Sequence, residues 1–295
     1  MSKYVKSAVR WVSQGGPTPS EFREFSDWLN ELASEVEKGQ LTESEKKEIH
    51  EVFGEALSVK TLQGISLVKP RGYAGDFEVI DRVYQRSMTT NPELINWDNF
   101  LVNTHAARAV RNRKTYFLNL LKTLSKRLAG PLQVLNIASG PARDVFECIA
   151  EGGDERLQFV CIEYDQMAIK YAKALCYEHL DRIQFVHANA FRFTTEERFP
   201  LVWSAGLFDY FDDRRFKFLL QRLYEFTADG GELVIGNFSN TNPDQPYMEV
   251  LMEWELHHRS PDDLRKLAMD CGMLADKISI GQEPEGVNLF LHVRK

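Results

Sequence analysis

The residues best suited to ligand chemistry lie in a short, small-residue segment between a predicted strand and a predicted helix. The segment runs from Val134 to Asp144 and reads VLNIASGPARD. Small residues in such a turn let backbone N–H groups approach a ligand, and the N-terminus of the helix behind it favours a negative group. Glu163 follows Gly140 by 23 positions, at the end of the next predicted strand, where a carboxylate can accept hydrogen bonds from vicinal ribose hydroxyls. Together these elements predict a nucleoside-containing cofactor.

Three further segments carry side chains that suit ligand binding. Residues 69–77 (KPRGYAGDF) combine two glycines and a proline with an arginine, a tyrosine and an aspartate, which a plain interhelical turn would not need. Residues 204–210 (SAGLFDY) come directly after a predicted strand, at the sheet edge where ligands of open α/β folds bind. Residues 236–239 end another strand, and the aromatic-rich stretch 253–259 is predicted to be a helix that walls a pocket.

The first 130 residues are predicted to form a helical unit. Thr18 and Thr42 each precede a glutamate by three residues, which is typical of a capping box at a helix start. The apolar stripe behind the first cap recurs at helical spacing and consists of Phe22, Phe25, Leu29, Leu32 and Val36. A further helix is predicted from about residue 103 to residue 128. We expect this unit, residues 1–130, to act as a lid and substrate domain over the domain that follows.

From residue 131 the pattern changes to short apolar strands that alternate with amphipathic helices. The predicted strands are 133–138, 158–163, 183–187, 201–205, 232–237, 277–280 and 288–293. The clearest helix between them is predicted at 213–226, with an apolar stripe of Phe216, Leu219, Leu220, Leu223 and Phe226. Strands that alternate with helices predict a parallel sheet covered on both faces. The last two strands, joined by a loop with Gly and Pro, predict an antiparallel pair at the sheet edge. Residues 131–295 are therefore predicted to be a doubly wound α/β domain.

Charge and composition argue against several classes of protein. The chain has a net charge of -7 and scattered basic residues, so it lacks the clustered positive field that nucleic-acid binding needs. The densest basic cluster consists of Arg108, Arg111, Arg113 and Lys114, at helical spacing, and is predicted to be a solvated helix face. No apolar run approaches the roughly 18 residues of a membrane span. No group of Asp, Asn and His has the spacing of a metal site.

The cysteines and the N-terminus bear on the cellular compartment. Cys148, Cys161, Cys176 and Cys271 form no CxxC pair, which predicts reduced thiols. The basic N-terminal segment lacks the continuous apolar core of a signal peptide. We therefore expect a soluble, cytoplasmic protein that acts on a small molecule.

Residues 134–144, followed by the acid at Glu163, resemble the first motif and the acidic second-strand end of class I S-adenosylmethionine-dependent methyltransferases. The resemblance implies a seven-stranded Rossmann-like sheet, with S-adenosylmethionine as the cofactor and S-adenosylhomocysteine as its product. It implies that the turn cradles the methionine part, that Glu163 holds the ribose, and that Tyr164 packs against the adenine. The residues it assigns to cofactor binding are Asn136, Ala138, Ser139, Gly140, Glu163, Tyr164, Asn189, Ala190 and Ser204.

Three residues depart from the pattern of that family. Asn136 stands where the family usually has an acid, and Ala138 and Ala142 replace two of the usual glycines. Because a side chain disfavours the left-handed backbone conformation, we expect φ to be negative at both alanines. A Rossmann-like domain that binds no cofactor is the structural alternative.

A finer resemblance extends from Lys69 to the C-terminus. The segments KPRGYAGDF, AVRNR, SAGLFDYFDDR and IGNFS, together with residues 254–259, resemble a bacterial subgroup of methyltransferases that make 3-hydroxy fatty acid methyl esters. This resemblance implies O-methylation of a carboxylic acid, of the fatty or 3-hydroxy acid type.

Two chemistries stay open for the acceptor. A carboxylate is already ionised at pH 7 and needs only donors that place it. N-methylation or hydroxyl O-methylation of a biosynthetic intermediate needs a base, such as His105 or His257. The residues predicted for catalysis are Tyr73, Tyr210 and His105, and those predicted for substrate binding are Arg71, Asn103, Asn237, Trp254 and Arg259. A non-catalytic binding module with the same fold is the alternative from another class.

Overall fold

The structure, a computed structural model, describes residues 2–295 apart from the side chain of Glu43. Its α-helices are α1 (Lys3–Ser13), α2 (Phe22–Glu37), α3 (Glu43–Phe53), α4 (Leu62–Val68), α5 (Phe77–Gln85), α6 (Ile95–Asn103), α7 (His105–Arg127), α8 (Arg143–Ala150), α9 (Gln166–Leu175), α10 (Asp213–Phe226), α11 (Gln245–Met252) and α12 (Pro261–Asp270). Its strands are β1 (Leu132–Ile137), β2 (Leu157–Glu163), β3 (Ile183–His187), β4 (Phe199–Ser204), β5 (Thr227–Phe238), β6 (Ile278–Gln282) and β7 (Asn288–Arg294).

The chain divides into a helical unit and a sheet unit. The helical unit comprises Met1–Arg108 and Pro243–Glu255, and the sheet unit comprises Ala109–Asn242 and Leu256–Lys295. This division differs from the predicted boundary near residue 130, because most of α7 packs with the sheet. Phe117, Leu121 and Leu124 of α7 lie in one apolar cluster with the side chains of β1.

The seven strands form one sheet in the order β3-β2-β1-β4-β5-β7-β6. Strands β1 to β5 pair in parallel, and β7 runs antiparallel to both β5 and β6. The strand order reverses between β1 and β4, and ligands of open α/β sheets bind at the carboxyl edge beside such a point. The predicted α/β class, the parallel sheet and the antiparallel edge pair are confirmed.

An apolar layer covers each face of this sheet. One layer contains α10 and α12, with Phe216, Leu220 and Leu264 fully buried against the strands. The opposite layer contains α7 and α8, where the ring of Phe117 stacks on Trp203 at a centroid distance of 4.8 Å. The apolar stripe predicted for helix 213–226 is confirmed, since it is the face that α10 buries.

An aromatic cluster forms the core of the helical unit. Phe25 of α2 is fully buried, and its ring lies 4.8 to 5.7 Å from the rings of Trp11, Trp28, Trp97 and Phe100. Most of these pairs are edge-to-face, a geometry that contributes about 0.5–1.5 kcal/mol per pair beyond the buried area. The apolar stripe predicted for α2 is the part of this core that the sequence reveals.

Helix α11 follows β5 in the sequence but packs with α2 and α4 of the helical unit. Tyr247 is buried, its hydroxyl donates to Oε1 of Gln63 at 2.8 Å, and its ring lies edge-on to Phe100. The helix ends at Met252, where Glu253 takes φ 46°. The helix predicted for residues 253–259 is therefore wrong. The eight residues of α11 are too few for a clear helical period in the sequence.

Within residues 2–295, no helix has the length and apolar character that crossing a membrane requires.

Candidate functional site

The turn after β1 adopts a backbone conformation that the sequence analysis did not expect. Ala138, Gly140 and Ala142 have φ angles of 55°, 52° and 51°. The expectation of negative φ at the two alanines is therefore wrong. A left-handed residue with a side chain costs about 1–2 kcal/mol. Ala142 offsets part of this cost, because it is fully buried beside α8 and its N–H donates to the carbonyl of Ser139 at 3.0 Å.

Glu163 at the end of β2 holds this turn in place. Its Oε2 accepts a hydrogen bond from the backbone N–H of Gly140 at 2.8 Å, and its Oε1 accepts from the N–H groups of Tyr164 and Asp165 at 2.7 and 2.9 Å. A Cβ added at Gly140 would meet no atom within 4 Å. One carboxylate thus joins the ends of β1 and β2 and leaves the outer side of Gly140 open.

Asn136 and Ser204 lie in the floor of the site. Asn136 of β1 is 2% exposed, and its Nδ2 has no hydrogen-bond acceptor among the described residues. Ser204, at the end of β4, donates its hydroxyl to the carbonyl of Ile137 at 3.1 Å. Ser204 therefore fastens β4 to β1 below the turn.

The residues predicted to surround an adenine lie at the ends of β2 and β3. Tyr164 is 68% exposed, and its ring is nearly parallel to that of His187. Asn189 uses its side-chain oxygen to accept the N–H of Phe191 at 2.8 Å, and Ala190 packs against the α10 layer. An exposed aromatic ring beside a fixed loop suits a planar ligand.

Asp209 is the functional candidate at the end of β4 that the sequence analysis did not single out as a site residue. It is fully buried in the short turn Phe208–Tyr210, and its Oδ1 accepts the N–H of Phe238 at 2.6 Å. Burial raises the pKa of Asp209 to about 6, against the backbone hydrogen bond and the charges of Arg113 and Arg259. The sequence offers only one signal for Asp209, its place directly after a strand.

Arg259 and Asn237 hold the neighbouring segments together. The guanidinium of Arg259 is 5% exposed and donates to Oδ1 of Asn237 at 2.9 Å, to the carbonyl of Phe211 at 2.6 Å and to Asp213 at 2.9 Å. The side-chain N–H₂ of Asn237 donates to the carbonyl of His257 at 2.9 Å. Both residues were predicted to bind substrate, and the structure engages both in contacts within the protein.

Arg113 corrects the prediction of a solvated basic face. It is 8% exposed, and a Cβ added at Gly206, in the loop after β4, would lie 2.8 Å from its Nη1. Its neighbour Lys114 pairs with Glu147 of α8. Helical spacing alone could not reveal this burial, because it does not show which face of α7 packs against the sheet.

In the helical unit, residues 69–77 pack against the segment that follows α11. A Cβ added at Gly75 would lie 2.1 Å from Cζ2 of Trp254, and Nζ of Lys69 donates to the carbonyl of Glu253 at 2.8 Å. Lys69 and Glu253 both have positive φ, at 52° and 46°. These two residues end α4 and α11, and a left-handed residue commonly terminates a helix.

Arg71 and Tyr73 lie on this same loop. The Arg71 guanidinium lies over the ring of Phe77 at 4.9 Å and pairs with Glu78 at 3.7 Å, while its Nε is buried without an acceptor among the described residues. Tyr73 is 37% exposed. The structure thus brings three predicted residues, Arg71, Tyr73 and Trp254, onto neighbouring segments.

Asn103 and His105 lie at the junction of α6 and α7. Asn103 accepts a hydrogen bond from Arg86 at 3.1 Å and donates to the carbonyl of Asn99 at 2.8 Å. Nδ1 of His105 lies 3.7 Å from Oδ2 of Asp244, which also accepts the N–H of Ala106 at 2.7 Å. The predicted catalytic residue His105 thus lies beside a carboxylate. Tyr210 is half-buried at the edge of the sheet unit, in the turn that carries Asp209.

One protein family and several solved structures are similar to this chain. Residues 134–231 match the model of a family described as a methyltransferase domain. A crystal structure described as a possible exported protein from Bordetella parapertussis is 19% identical, with a TM-score of 0.67 over 99% of this chain and 95% of its own. The apo structure of the S-adenosylmethionine-dependent methyltransferase SibL is 15% identical, with a TM-score of 0.54 over 84% of this chain and 73% of its own. No curated protein sequence matches this one.

These comparisons confirm part of the prediction. The segment that holds the turn after β1, Glu163 and Asp209 matches the model of a methyltransferase domain, which agrees with the predicted methyl donor, S-adenosylmethionine. At 15–19% identity, the two structures support the fold alone, which includes a helical N-terminal region. The finer resemblance to enzymes that make 3-hydroxy fatty acid methyl esters lies beyond what they show.

Proposed function

We propose that this protein transfers a methyl group from S-adenosylmethionine to the carboxylate of a small organic acid, of the fatty or 3-hydroxy acid type. The observation that carries the proposal is the hydrogen bond from Gly140 N–H to Glu163, because it joins the ends of β1 and β2 at the switch point of the sheet, where nucleoside cofactors bind in open α/β folds. The lid role of the helical unit and the cytoplasmic location stay predictions.

The residues at the carboxyl edge fit the cofactor. The open side of Gly140 lets the backbone approach a ligand, and the turn of Ser139 and Gly140 would hold the methionine part. Glu163 accepts three backbone hydrogen bonds, and a carboxylate has about four lone-pair sites, so it keeps capacity for a ribose hydroxyl. Tyr164 would cover the adenine. When bound, the cofactor supplies a methyl group activated by its sulfonium.

The acceptor class follows from the chemistry of the loop around Arg71. A guanidinium recognises a carboxylate through two parallel N–H···O hydrogen bonds. The two donors are either Nε and one terminal nitrogen or both terminal nitrogens. Arg71 offers an unpaired Nε beside the ring of Phe77, and Tyr73, which is 37% exposed, lies on the same loop. A cation beside apolar rings suits an acid with an apolar chain. The ionised carboxylate needs no general base.

Methylation of a hydroxyl is the second candidate, and the pairing of His105 with Asp244 favours it. A carboxylate oxygen lies 3.7 Å from Nδ1 of His105, and a carboxylate beside an imidazole is the arrangement that orients a general base. Asp244 is itself held by the N–H of Ala106. Replacing His105 separates the two candidates, because only a hydroxyl acceptor needs a base.

The test has two arms. Calorimetry with S-adenosylhomocysteine measures cofactor binding, and we expect Glu163→Gln to weaken that binding at least tenfold, since a neutral amide accepts the Gly140 N–H less well. A panel of short-chain, fatty and 3-hydroxy acids with isotope-labelled methyl donor then identifies the product by mass spectrometry. We expect a product that gains one labelled methyl group.

Two variants refine the acceptor arm. Arg71→Gln is expected to raise the KM for the acid at least tenfold, and Arg23→Gln, at a 94% exposed side chain of α2, serves as its control. His105→Gln is expected to keep kcat within about threefold. If the wild-type protein gives no heat of binding with S-adenosylhomocysteine, the alternative of a non-catalytic module replaces the proposed function. Cofactor binding with no methylated acid, together with a large loss in His105→Gln on a hydroxyl acceptor, would replace the preferred chemistry by the second candidate.

A further inference from the structure

One buried arginine and two buried carboxylates lie near the carboxyl edge of the sheet. Arg113 of α7 is 8% exposed, Asp144 at the start of α8 is 7% exposed, and Asp209 after β4 is 3% exposed. The charge of Arg113 acts on both carboxylates and favours their ionised forms. A buried cation that serves two buried acids restrains the segments that carry all three.

Those segments are the two sides of the candidate site. Asp144 opens α8 directly behind the turn of Ala138 to Ala142, and its Oδ1 accepts the N–H of Val145 at 2.9 Å. Asp209 holds the end of β5 through the N–H of Phe238, and its own carbonyl accepts the N–H of His257 at 2.7 Å. The network therefore reaches the ends of β1, β4 and β5.

Gly206 shows how closely the guanidinium approaches the loop after β4. A Cβ at this position would lie 2.8 Å from Nη1, 3.6 Å from Cζ and 3.8 Å from Nη2 of Arg113. The guanidinium lies against the backbone, so residue 206 must lack a side chain unless Arg113 moves. Lys114 adds a second tie between α7 and α8 through Glu147.

We propose that Arg113 is a positioning residue for methyl transfer, whose guanidinium keeps the turn after β1 and the loop after β4 at a fixed spacing through Asp144 and Asp209. Arg113 acts through these acids and does not touch the reacting atoms. The role rests on the proposed function, because the spacing of these two segments matters only if this edge of the sheet binds the methyl donor. A planar fork with five donors can serve two acids at once, whereas a lysine offers one point charge.

The experiment compares Arg113→Gln and Arg113→Lys with Arg156→Gln as a matched control. Arg156 also ties α7 to the sheet unit, but at the opposite end of the helix, through the carbonyls of Ser125 and Leu128. Binding of S-adenosylhomocysteine is measured by calorimetry from pH 5 to pH 8. We expect Arg113→Gln to bind at least fivefold more weakly than Arg156→Gln at pH 8. We also expect the acid-side loss of binding to begin at higher pH in Arg113→Gln, with Arg113→Lys between the two.

Two results would contradict this proposal. A difference of less than fivefold between Arg113→Gln and Arg156→Gln, or the same pH profile in both, would overturn the role of Arg113. If Arg113→Gln does not fold, Gly206→Ala keeps every charge and pushes only on Nη1. At least fivefold weaker binding in Gly206→Ala then supports the role, and a smaller loss removes it.

A wild-type protein that binds no S-adenosylhomocysteine would contradict the proposed function, and with it the part of Arg113 in methyl transfer, but not the network itself. The Arg113 network is then judged from thermal unfolding between pH 4 and pH 8. If the pH dependence of the thermal midpoint moves to higher pH in Arg113→Gln but not in Arg156→Gln, the result supports the network as a spacer between the turn after β1 and the loop after β4. Identical profiles reject it.

Discussion

At the scale of single residues, the left-handed alanines of the turn after β1 are the point at which backbone strain can be measured. Ala138 is half-buried with φ 55°, and we expect Ala138→Gly to stabilise the protein by about 1 kcal/mol, because glycine adopts this φ without steric cost. Thermal unfolding measures the change. Ala142→Gly is the matched comparison, since it relieves the same strain but loses a fully buried methyl group worth about 0.8 kcal/mol. A lower midpoint for Ala138→Gly would show that the alanine is not strained.

The buried acids Asp144 and Asp209 predict a pH dependence of stability. Burial raises the pKa of each from 3.8 to about 6, against the charge of Arg113 on both, of Lys114 on Asp144 and of Arg259 on Asp209. The native protein therefore binds these protons at a higher pH than the unfolded chain does. Their contribution to stability is fully present below pH 3.8 and is lost as the pH rises through 6.

The measurement is the difference in thermal midpoint between pH 7 and pH 5. In the wild type we expect the thermal midpoint to gain from these two acids as the pH falls from 7 to 5. We expect this gain to be smaller in the double variant Asp144→Asn, Asp209→Asn, since an amide does not titrate. The full rise in pKa corresponds to about 3 kcal/mol for each group, of which about 1.3 kcal/mol falls between pH 7 and pH 5. Equal pH dependence in the two proteins would mean that both acids titrate near their ordinary pKa.

Residue-level prediction from the sequence located strand-end residues better than it located their contacts. The turn of residues 138–142 and Glu163 are adjacent to strand ends, and the period of the strands alone places them at one edge. Arg259 and Asn237 share that edge, but they bind Phe211, Asp213 and His257 within the protein. Which polar side chains turn inward is decided by tertiary contacts that spacing does not encode.

At the scale of elements, the contact between residues 69–77 and Trp254 offers a matched pair of substitutions. Gly75 and Gly72 both have positive φ, at 64° and 86°, so alanine strains the backbone at either position. An added Cβ meets Trp254 at 2.1 Å from Gly75 but meets nothing within 4 Å from Gly72. We expect Gly75→Ala to lower the thermal midpoint further than Gly72→Ala and to shift the tryptophan fluorescence. Equal effects of the two substitutions would show that the loop and Trp254 are not in contact in solution.

The bounds of the strands and helices show which parts of the fold the sequence predicts. Strands β1 to β4 and helix α10 lie within a few residues of their predicted positions, because period and caps are local signals. Strand β5 begins at Thr227, five residues before its predicted start, since the residues Asp229, Gly230 and Gly231 read as a turn. Helix α11 joins the helical unit through Tyr247 and Gln63, a partnership between residues 184 positions apart that no local pattern contains.

At the scale of the whole molecule, the helical unit is built from two separate stretches of the chain. Pro243–Glu255 leaves the sheet unit after β5 and returns before α12. Four of its apolar side chains are buried, namely Tyr247, Met248, Leu251 and Met252. The path out and back is short, because the side chain of Asn242 lies 3.2 Å from the ring of His258 and the backbone of Ser239 pairs with Arg259.

This connectivity predicts how the sheet unit behaves when residues 1–108 are removed. The truncated chain keeps α11 without α2 and α4, so its four apolar side chains lose their partners and should bind a hydrophobic dye and cause self-association. Replacing residues 243–255 by a short Gly-Ser linker in the same truncated chain removes those side chains and can close the small gap from Asn242 to Leu256. We expect the linker variant to elute as a monomer with at least severalfold less dye binding. If the truncated chain with α11 is already monomeric and free of dye, then α11 does not depend on the helical unit, and the division of the chain into these two units would have to be redrawn around the sheet.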